Sequence, residues 1–328
     1  MPDRIRFGLI GTGGIAQSYV TAFENHPDAN LVAVCDVRAE AAQAMAERVR
    51  CAAFTSIEEM VQRGPEMQAV VVCTPPSTHE EIVCNLAKWN LHVLCEKPFA
   101  LSVDSAKRMI ASAQQHRVQL TMASKFRYTQ DMIRLKSLIA SGVLGEIQLL
   151  ENAFTGKVDM SQRWNAKPAV SGGGVLVDNG THSVDIVRYL LGPVKLVHAI
   201  AMPNIQKLEV EDSARLLVQT ASGIPASIDL TWSLNKELDW FVSVFGTHGV
   251  AQVGWRESRY KQSTAREWIR FGNGYDKVQA FRDELGNFAR CCRENEQLLI
   301  NSDDALASVH VIEQAYQAMK NTNWLPLE

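Results

Sequence analysis

The sequence predicts a chain of two α/β-type domains: a doubly wound parallel sheet, then an α+β domain built on a large open mixed or antiparallel sheet. Three observations carry this. A short apolar run at 5–10 ends on a glycine-rich loop and leads into a helical stretch. Apolar runs and helical stretches then alternate to about residue 123. Beyond that point strand-like runs succeed one another with no helix between them. A chain of 328 residues is long for one core, and the change of pattern places the domains at 1–123 and 124–328.

Ile5 to Ile10 reads as the first strand, Gly11-Thr12-Gly13-Gly14 as the loop, and Ile15 to Phe23 as the helix. Gly11 permits a tight turn, Gly13 lets backbone approach a diphosphate, and the small Ala16 lets the helix pack on the strand. The helix start offers free N–H groups and a favourable dipole to an anion. Gly11, Thr12, Gly13, Gly14 and Ile15 are therefore expected to hold a dinucleotide in a Rossmann arrangement. Leu31 to Cys35 is the next strand, and Asp36, 25 residues past Gly11, ends it. A carboxylate there suits the adenosine ribose hydroxyls and favours NAD, or is a plain strand-end turn residue. Arg38 nearby suits a 2′-phosphate, which keeps NADP open.

Ala39 to Arg50, rich in alanine and charge, is helical. Ala69 to Cys73 is a buried parallel strand by its unbroken apolar run. Two prolines in Thr74-Pro75-Pro76-Ser77-Thr78-His79 take the chain out of the sheet at its carboxyl edge, where ligands bind. Thr74, Pro75, Ser77 and His79 are expected near the cofactor, although His79 also suits the first turn of a helix. Val93 to Cys95 is a strand that delivers Glu96-Lys97-Pro98 to the same edge, with Glu96 and Lys97 beside the cofactor. Ser102 caps a helix to Gln115, and Gln119 to Ala123 closes the sheet.

Composition excludes several classes. Hydrophobic content of 46% and charged content of 21% describe an ordinary globular chain. A net charge of −3 with no long basic tract argues against nucleic acid or anionic membrane as partner. No apolar stretch is long enough to span a bilayer, and no signal-peptide pattern opens the chain. Seven cysteines without a CxxC pair read as buried small hydrophobes in a reducing cytosol. A cytoplasmic protein is expected.

The second half begins with a helix over 131–140, followed by strands over 147–153, 196–201, 214–220, 226–232, 240–245 and 250–253, and closes with helices over 278–294 and 302–321. One helix here carries chemistry. Ser171-Gly172-Gly173-Gly174, a close-approach loop, leads into Val175 to Leu190. Asp178, His182 and Asp185 share one face of it at 3.6 residues per turn. A buried acid and imidazole form either a functional site or a satisfied structural pair. Two carboxylates and a histidine also suit a divalent ion, but no fourth ligand is evident nearby, and no metal is expected. Trp164, Trp232 and Trp240 suit stacking on a sugar ring or plain packing.

GTGGIA at 11–16, CDV at 35–37, CTPPSTH at 73–79, CEKP at 95–98, GGGVLVDNGTH at 172–182 and the stretch Asp303 to Tyr316 together resemble the glucose–fructose oxidoreductase / inositol dehydrogenase / MocA family. The resemblance spans nearly the whole chain. It implies an NAD(P)-dependent dehydrogenase acting on a CH–OH group of a sugar, cyclitol or related polyhydroxy compound. It also implies a homodimer or homotetramer assembled through the C-terminal sheet. By motif position, Lys97 is the catalytic lysine, His182 the proton acceptor and Asp178 its partner. Arg127, Trp164, Asn179 and these three are implied to line the substrate site. A non-catalytic NAD-binding regulator, or a redox-neutral enzyme with tightly held NAD, is the alternative on the same fold. Retention of Lys97, Asp178 and His182 together points away from the regulator.

Overall fold

The computed structural model describes residues 4–293 and 296–321. By internal contacts the chain forms two compact units, 1–128 with 276–306, and 129–275 with 307–328.

The first unit holds a six-stranded sheet among its described residues. Its strands are β1 (Ile5–Ile10), β2 (Ala29–Cys35), β3 (Ala52–Phe54), β4 (Ala69–Val72), β5 (His92–Cys95) and β6 (Leu120–Met122). They run parallel in the order β3-β2-β1-β4-β5-β6, which reverses direction between β1 and β4. The intervening helices are α1 (Gly14–Phe23), α2 (Ala39–Val49), α3 (Ile57–Arg63), α4 (His79–Lys88) and α5 (Val103–Gln115). Ser102 caps α5 as expected, accepting from the Ser105 N–H at 3.1 Å. β3 and α3 escaped the sequence analysis. Three residues without a β-branched side chain give β3 no periodic signal. Ser56 and Glu59 did mark the start of α3, with Ser56 Oγ accepting from Glu59 N.

Register aligns the strand ends. Ile10 pairs with Cys35 and with Val72, Val72 with Cys95, and Cys95 with Met122. The residues that follow these five strand ends therefore leave the sheet along one row, at the carboxyl edge where open parallel sheets bind ligands.

The second unit begins with α6 (Gln130–Ala140). Its strands are β7 (Ile147–Thr155), β8 (Val194–Ala201), β9 (Ser213–Thr220), β10 (Pro225–Thr231), β11 (Trp240–Gly246), β12 (Gly249–Gly254), β13 (Ser258–Gln262) and β14 (Ile269–Gly272). They form one mixed sheet in the order β14-β13-β12-β11-β7-β10-β9-β8, parallel at β7/β10 and antiparallel elsewhere. β13 is polar, and β14 is only four residues long, so neither gives a run long enough to read as a strand. The one-turn α7 (Pro168–Ser171) precedes α8 (Val175–Leu191), which packs on β7, β9 and β10. β9 shows the alternation of a half-covered sheet: Ala214, Leu216 and Val218 are buried while Arg215, Leu217 and Gln219 face outward.

The last helices are α9 (Lys277–Cys292) and α10 (Ser302–Lys320). The expected helix end at Glu294 lies outside the described residues, as do the chain ends 1–3 and 322–328. The change of pattern near residue 123 puts α9 in a 124–328 domain. Its apolar face instead lies on the first unit, where Phe281, Leu285, Phe288 and Ala289 share a core with Phe7, Tyr19 and Phe23. Burial of that face decides which sheet the helix joins, and periodicity along the chain cannot report it.

Candidate active site

In the first unit, Gly11 follows β1 with φ +87, and a Cβ there would stand 2.8 Å from the Cys73 carbonyl oxygen. Only glycine fits both the angle and the contact. Its N–H donates to the Cys35 carbonyl at 2.8 Å. Gly13 and Gly14 are exposed, and a Cβ on either would meet nothing within 4 Å. No side chain caps α1, and its first turn holds no acid. The open space over bare backbone N–H groups suits a diphosphate. Ile15 is half-buried in the first turn, and Ala16 is fully buried against the sheet.

Asp36 follows the end of β2. Its Oδ2 accepts from the Thr12 N–H at 2.9 Å and the Thr12 hydroxyl at 2.8 Å. Its Oδ1 accepts from the Arg38 backbone at 3.0 Å and Arg38 Nε at 3.1 Å. Burial pushes this carboxyl up, but the hydrogen bonds from Arg38 and Thr12 outweigh it and hold Asp36 well below the usual range. Arg38 is thus committed to Asp36, with a largely exposed side chain. The Asp36→Ala variant is expected to raise the KM for NAD about tenfold or more, since hydrogen bonds to a charged group contribute roughly 1.5–3 kcal/mol. It should narrow the preference for NAD over NADP, and steady-state kinetics with both cofactors checks this.

Thr74 and Pro75 are half-exposed and Ser77 is exposed in the loop after β4. The Thr78 hydroxyl shapes that loop by donating to the Pro75 carbonyl at 2.8 Å. His79 departs from expectation. It is fully buried, with Nε2 2.9 Å from the Thr74 carbonyl and Nδ1 3.1 and 3.2 Å from the carbonyls of Pro98 and Phe99. Burial lowers its imidazole against the pull of these carbonyls. His79 staples the loop after β4 to the turn behind Lys97 and offers no surface to a cofactor.

Lys97 leaves β5 half-buried at the carboxyl row. Glu96 turns inward instead, with 6% exposure, and its Oε2 accepts from the Lys97 N–H at 3.0 Å. Its carboxyl is spent on the protein rather than on a cofactor. Arg127 also departs from expectation: it is buried, and its Nη1 meets the Leu299 carbonyl at 3.2 Å and Asp304 Oδ2 at 3.0 Å. A buried guanidinium needs such partners, and here they anchor the 299–304 segment within the first unit.

In the second unit, α8 presents Asp178 and Asn179 half-exposed near its start. His182 follows one turn later at 6% exposure and Asp185 is fully buried. The shared face therefore descends into the core. Phe154 of β7 meets His182 edge-on at 6.3 Å, and Phe241 stacks on Phe154 at 5.8 Å. Among the described residues, no group of three or more His, Cys, Asp or Glu side chains can hold a metal ion.

The glycine run before α8 serves a partner that the sequence analysis missed. Glu211 Oε1 accepts from the Gly174 and Leu176 N–H groups at 3.0 Å each and from the Tyr316 hydroxyl at 2.8 Å. A carboxylate at a helix N-terminus satisfies open donors and complements the dipole. Cβ atoms at Gly173 and Gly174 would overlap the Tyr316 hydroxyl and the Glu211 carbonyl. No local signal marks Glu211, because it reaches α8 from 35 residues away. Of the tryptophans, Trp232 is buried in packing, and Trp164 is exposed on a short turn. Trp240 packs against the Arg259 guanidinium and lines a cavity of about 1070 Å³ with Phe241 and Trp255.

Residues 5–124 match the model of an oxidoreductase family with an NAD-binding Rossmann fold, and 132–252 match the GFO/IDH/MocA C-terminal domain. The chain is 26% identical over 336 residues to an inositol 2-dehydrogenase of Rhizobium meliloti (strain 1021), covering 96% of this chain and 97% of that protein. It is 29% identical over 255 residues to a myo-inositol 2-dehydrogenase of Thermotoga maritima, covering 75% and 74%. A levoglucosan dehydrogenase solved with NADH and levoglucosan shares the fold at a TM-score of 0.89, with 20% identity over 97% of this chain and 98% of that one. With its glycine loop open over α1, its aspartate at the end of β2 and its lysine at the carboxyl row, this chain belongs to the Gfo/Idh/MocA family of NAD-binding oxidoreductases.

Proposed function

We propose that the protein transfers a hydride between NAD and one CH–OH group of a cyclitol, sugar or related polyhydroxy compound, with Lys97, His182 and Asp178 as the residues that handle the substrate. When bound, NAD supplies the hydride acceptor or donor. The observation that carries the proposal is the placement of Lys97 on the row of strand ends that also holds the dinucleotide loop. A lysine ammonium there hydrogen-bonds the reacting oxygen and stabilises alkoxide character. His182 accepts the hydroxyl proton, because imidazole is the side chain that exchanges protons nearest neutral pH. Asp178 and Asn179, polar and half-exposed one turn before it, take neighbouring hydroxyls or orient the imidazole. Trp164 adds an exposed aromatic surface to the substrate loop.

The inositol dehydrogenases among the relatives support a cyclitol or sugar as substrate. Assembly as a homodimer or homotetramer through the second sheet is supported by Leu196 and Leu217, exposed at 57% and 55% on its strands. Among the described residues no helix is long and apolar enough to cross a membrane. A cytoplasmic site of action is supported by seven free cysteines, which suit a reducing compartment. The test is reduction of NAD and NADP against a panel of inositols, aldoses, polyols and sugar acids. One substrate class should reduce NAD. Tight NAD binding without reduction by any of them would reject the dehydrogenase in favour of a redox-neutral reaction or a regulator.

A further inference from the structure

In the second unit, the connection from β8 to β9, residues 202–212, ties down both ends of the stretch that leads from β7 to α8. Its own shape is fixed from within. The Asn204 side chain accepts from the Leu208 N–H at 3.1 Å and donates to the Leu208 and Val210 carbonyls at 2.8 and 3.0 Å. Side-chain bonds of this kind fold a short segment back on itself. At its base the Met202 N–H donates to the Ser213 carbonyl at 2.9 Å.

One arm of the connection is Glu211, which holds the Gly174 and Leu176 N–H groups at the start of α8. The other is Gln206. Its Oε1 accepts from the Met160 N–H at 3.0 Å. Its Nε2 donates to the carbonyls of Val158 at 2.9 Å and Trp232 at 3.2 Å and to the Ser233 hydroxyl oxygen at 3.0 Å. The Ser233 hydroxyl in turn donates to Asp212 Oδ2 at 2.6 Å, and the same oxygen accepts from the Gln206 N–H at 2.8 Å. Gln206, Ser233 and Asp212 thus close a ring of hydrogen bonds in which each member polarises the next. Asp212 is fully buried, so its carboxyl cannot exchange these partners for water. Both donors and the carbonyl oxygen of the Gln206 amide are spent within the protein.

Between the two arms the stretch carries Trp164. Met160 and Ala166 are buried at 2% and 8% exposure, and residues 161–164 between them are exposed. The position of an exposed tip is set by the anchors on either side of it. Beyond the Glu211 arm, α8 carries Asp178, Asn179 and His182. A single connection therefore holds the loop and the helix in one frame, where a displacement of about 1 Å can cost on the order of a hundredfold in rate.

We propose that Gln206 is a positioning residue for the substrate: through Val158 and Met160 it fixes the 158–164 loop against the start of α8, and so sets which hydroxylated compounds the site accepts. The effect on substrate rests on the function proposed above, whereas the clasp itself does not.

The experiment compares wild type with Gln206→Met, which keeps the length of the side chain and removes its polar atoms, and with Ser233→Ala, which opens the ring but leaves the Gln206 amide in place. Site-resolved hydrogen exchange is read on the full chain without substrate or NAD. The Met160 amide should exchange about tenfold or more faster in Gln206→Met, less so in Ser233→Ala, while the Gly174 and Leu176 amides keep their wild-type rates. In turnover, Gln206→Met should raise the KM for the panel compound that wild type oxidises by about tenfold and leave kcat and the KM for NAD within about threefold. Its preference for that compound over the next best should narrow by a similar factor, and Ser233→Ala should shift both in the same direction by less. A merely structural loss would lower the folded fraction, and with it kcat, and leave KM in place. A Met160 amide that exchanges at the wild-type rate in Gln206→Met overturns the clasp. Faster exchange with unchanged KM and unchanged preference overturns the role in substrate selection. If wild type oxidises nothing in the panel, it is the proposed dehydrogenase that fails, and the Met160 exchange rate still upholds or overturns the clasp.

Discussion

The Lys97→Met variant is expected to lose at least about a hundredfold in kcat, the lower range for a positioned acid–base partner. That loss corresponds to roughly 2.7 kcal/mol of transition-state stabilisation. Methionine keeps the length and apolar stem of the side chain and removes the charge, so packing at the end of β5 should change little. NAD affinity should stay within a fewfold, because the diphosphate loop at 11–15 and Asp36 sit at the ends of other strands. Titration of NAD by fluorescence, together with single-turnover kinetics, separates binding from chemistry. Full turnover in the variant would remove Lys97 from the mechanism. A parallel loss of NAD binding would instead make it a cofactor ligand.

Gly174→Ala should produce the largest structural effect. The added Cβ overlaps the Glu211 carbonyl, a backbone atom that cannot swing aside because it accepts from the Val175 N–H at 3.0 Å. Overpacking of this kind costs about 1–3 kcal/mol or more, a drop of several degrees in the melting midpoint for a unit of this size. The consequence for function follows from α8. Glu211 fixes the start of the helix that carries Asp178, Asn179 and His182, so kcat/KM should fall with stability. Tyr316→Phe removes only one of the donors to Glu211 and should give a milder version of both effects. A Gly174→Ala protein that melts and turns over like wild type would show that α8 does not depend on this close approach.

Much of the fold was legible because the signals are local. An unbroken apolar run such as 69–72 marks a buried parallel strand, and a glycine loop between strand and helix marks a phosphate site. Ser102 announced α5 through a cap formed three residues away. The strands of the second unit were legible through alternation, as in β9. Where the run was polar, as in β13, or only four residues long, as in β14, nothing along the chain pointed to a strand.

The residues assigned to the site divide on the same physical line. Those whose role depends on backbone position lie where the sequence placed them: Gly11 to Ile15, Asp36 and Lys97 all follow strand ends. Those whose role depends on a side chain's partner do not. His79 looked like a ligand-edge histidine, but three carbonyls from two loops enclose it. Arg127 looked like a substrate contact, but Asp304 holds it from 177 positions away. Glu96 belongs to the carboxyl row by sequence and to the core by packing.

By itself, the sequence determined the parallel-sheet and mixed-sheet halves, most of their elements, the glycine loop after β1 and the strand end on which the lysine sits. Each of these follows from residues within a turn or a strand of one another. The tertiary structure alone decided that α9 covers the first sheet, that Glu211 and Tyr316 close on the triple glycine, and that Tyr19 meets Glu284 across 265 positions. Apolar periodicity states that a face will be buried, but not against what. That choice is made only when distant segments exclude water together.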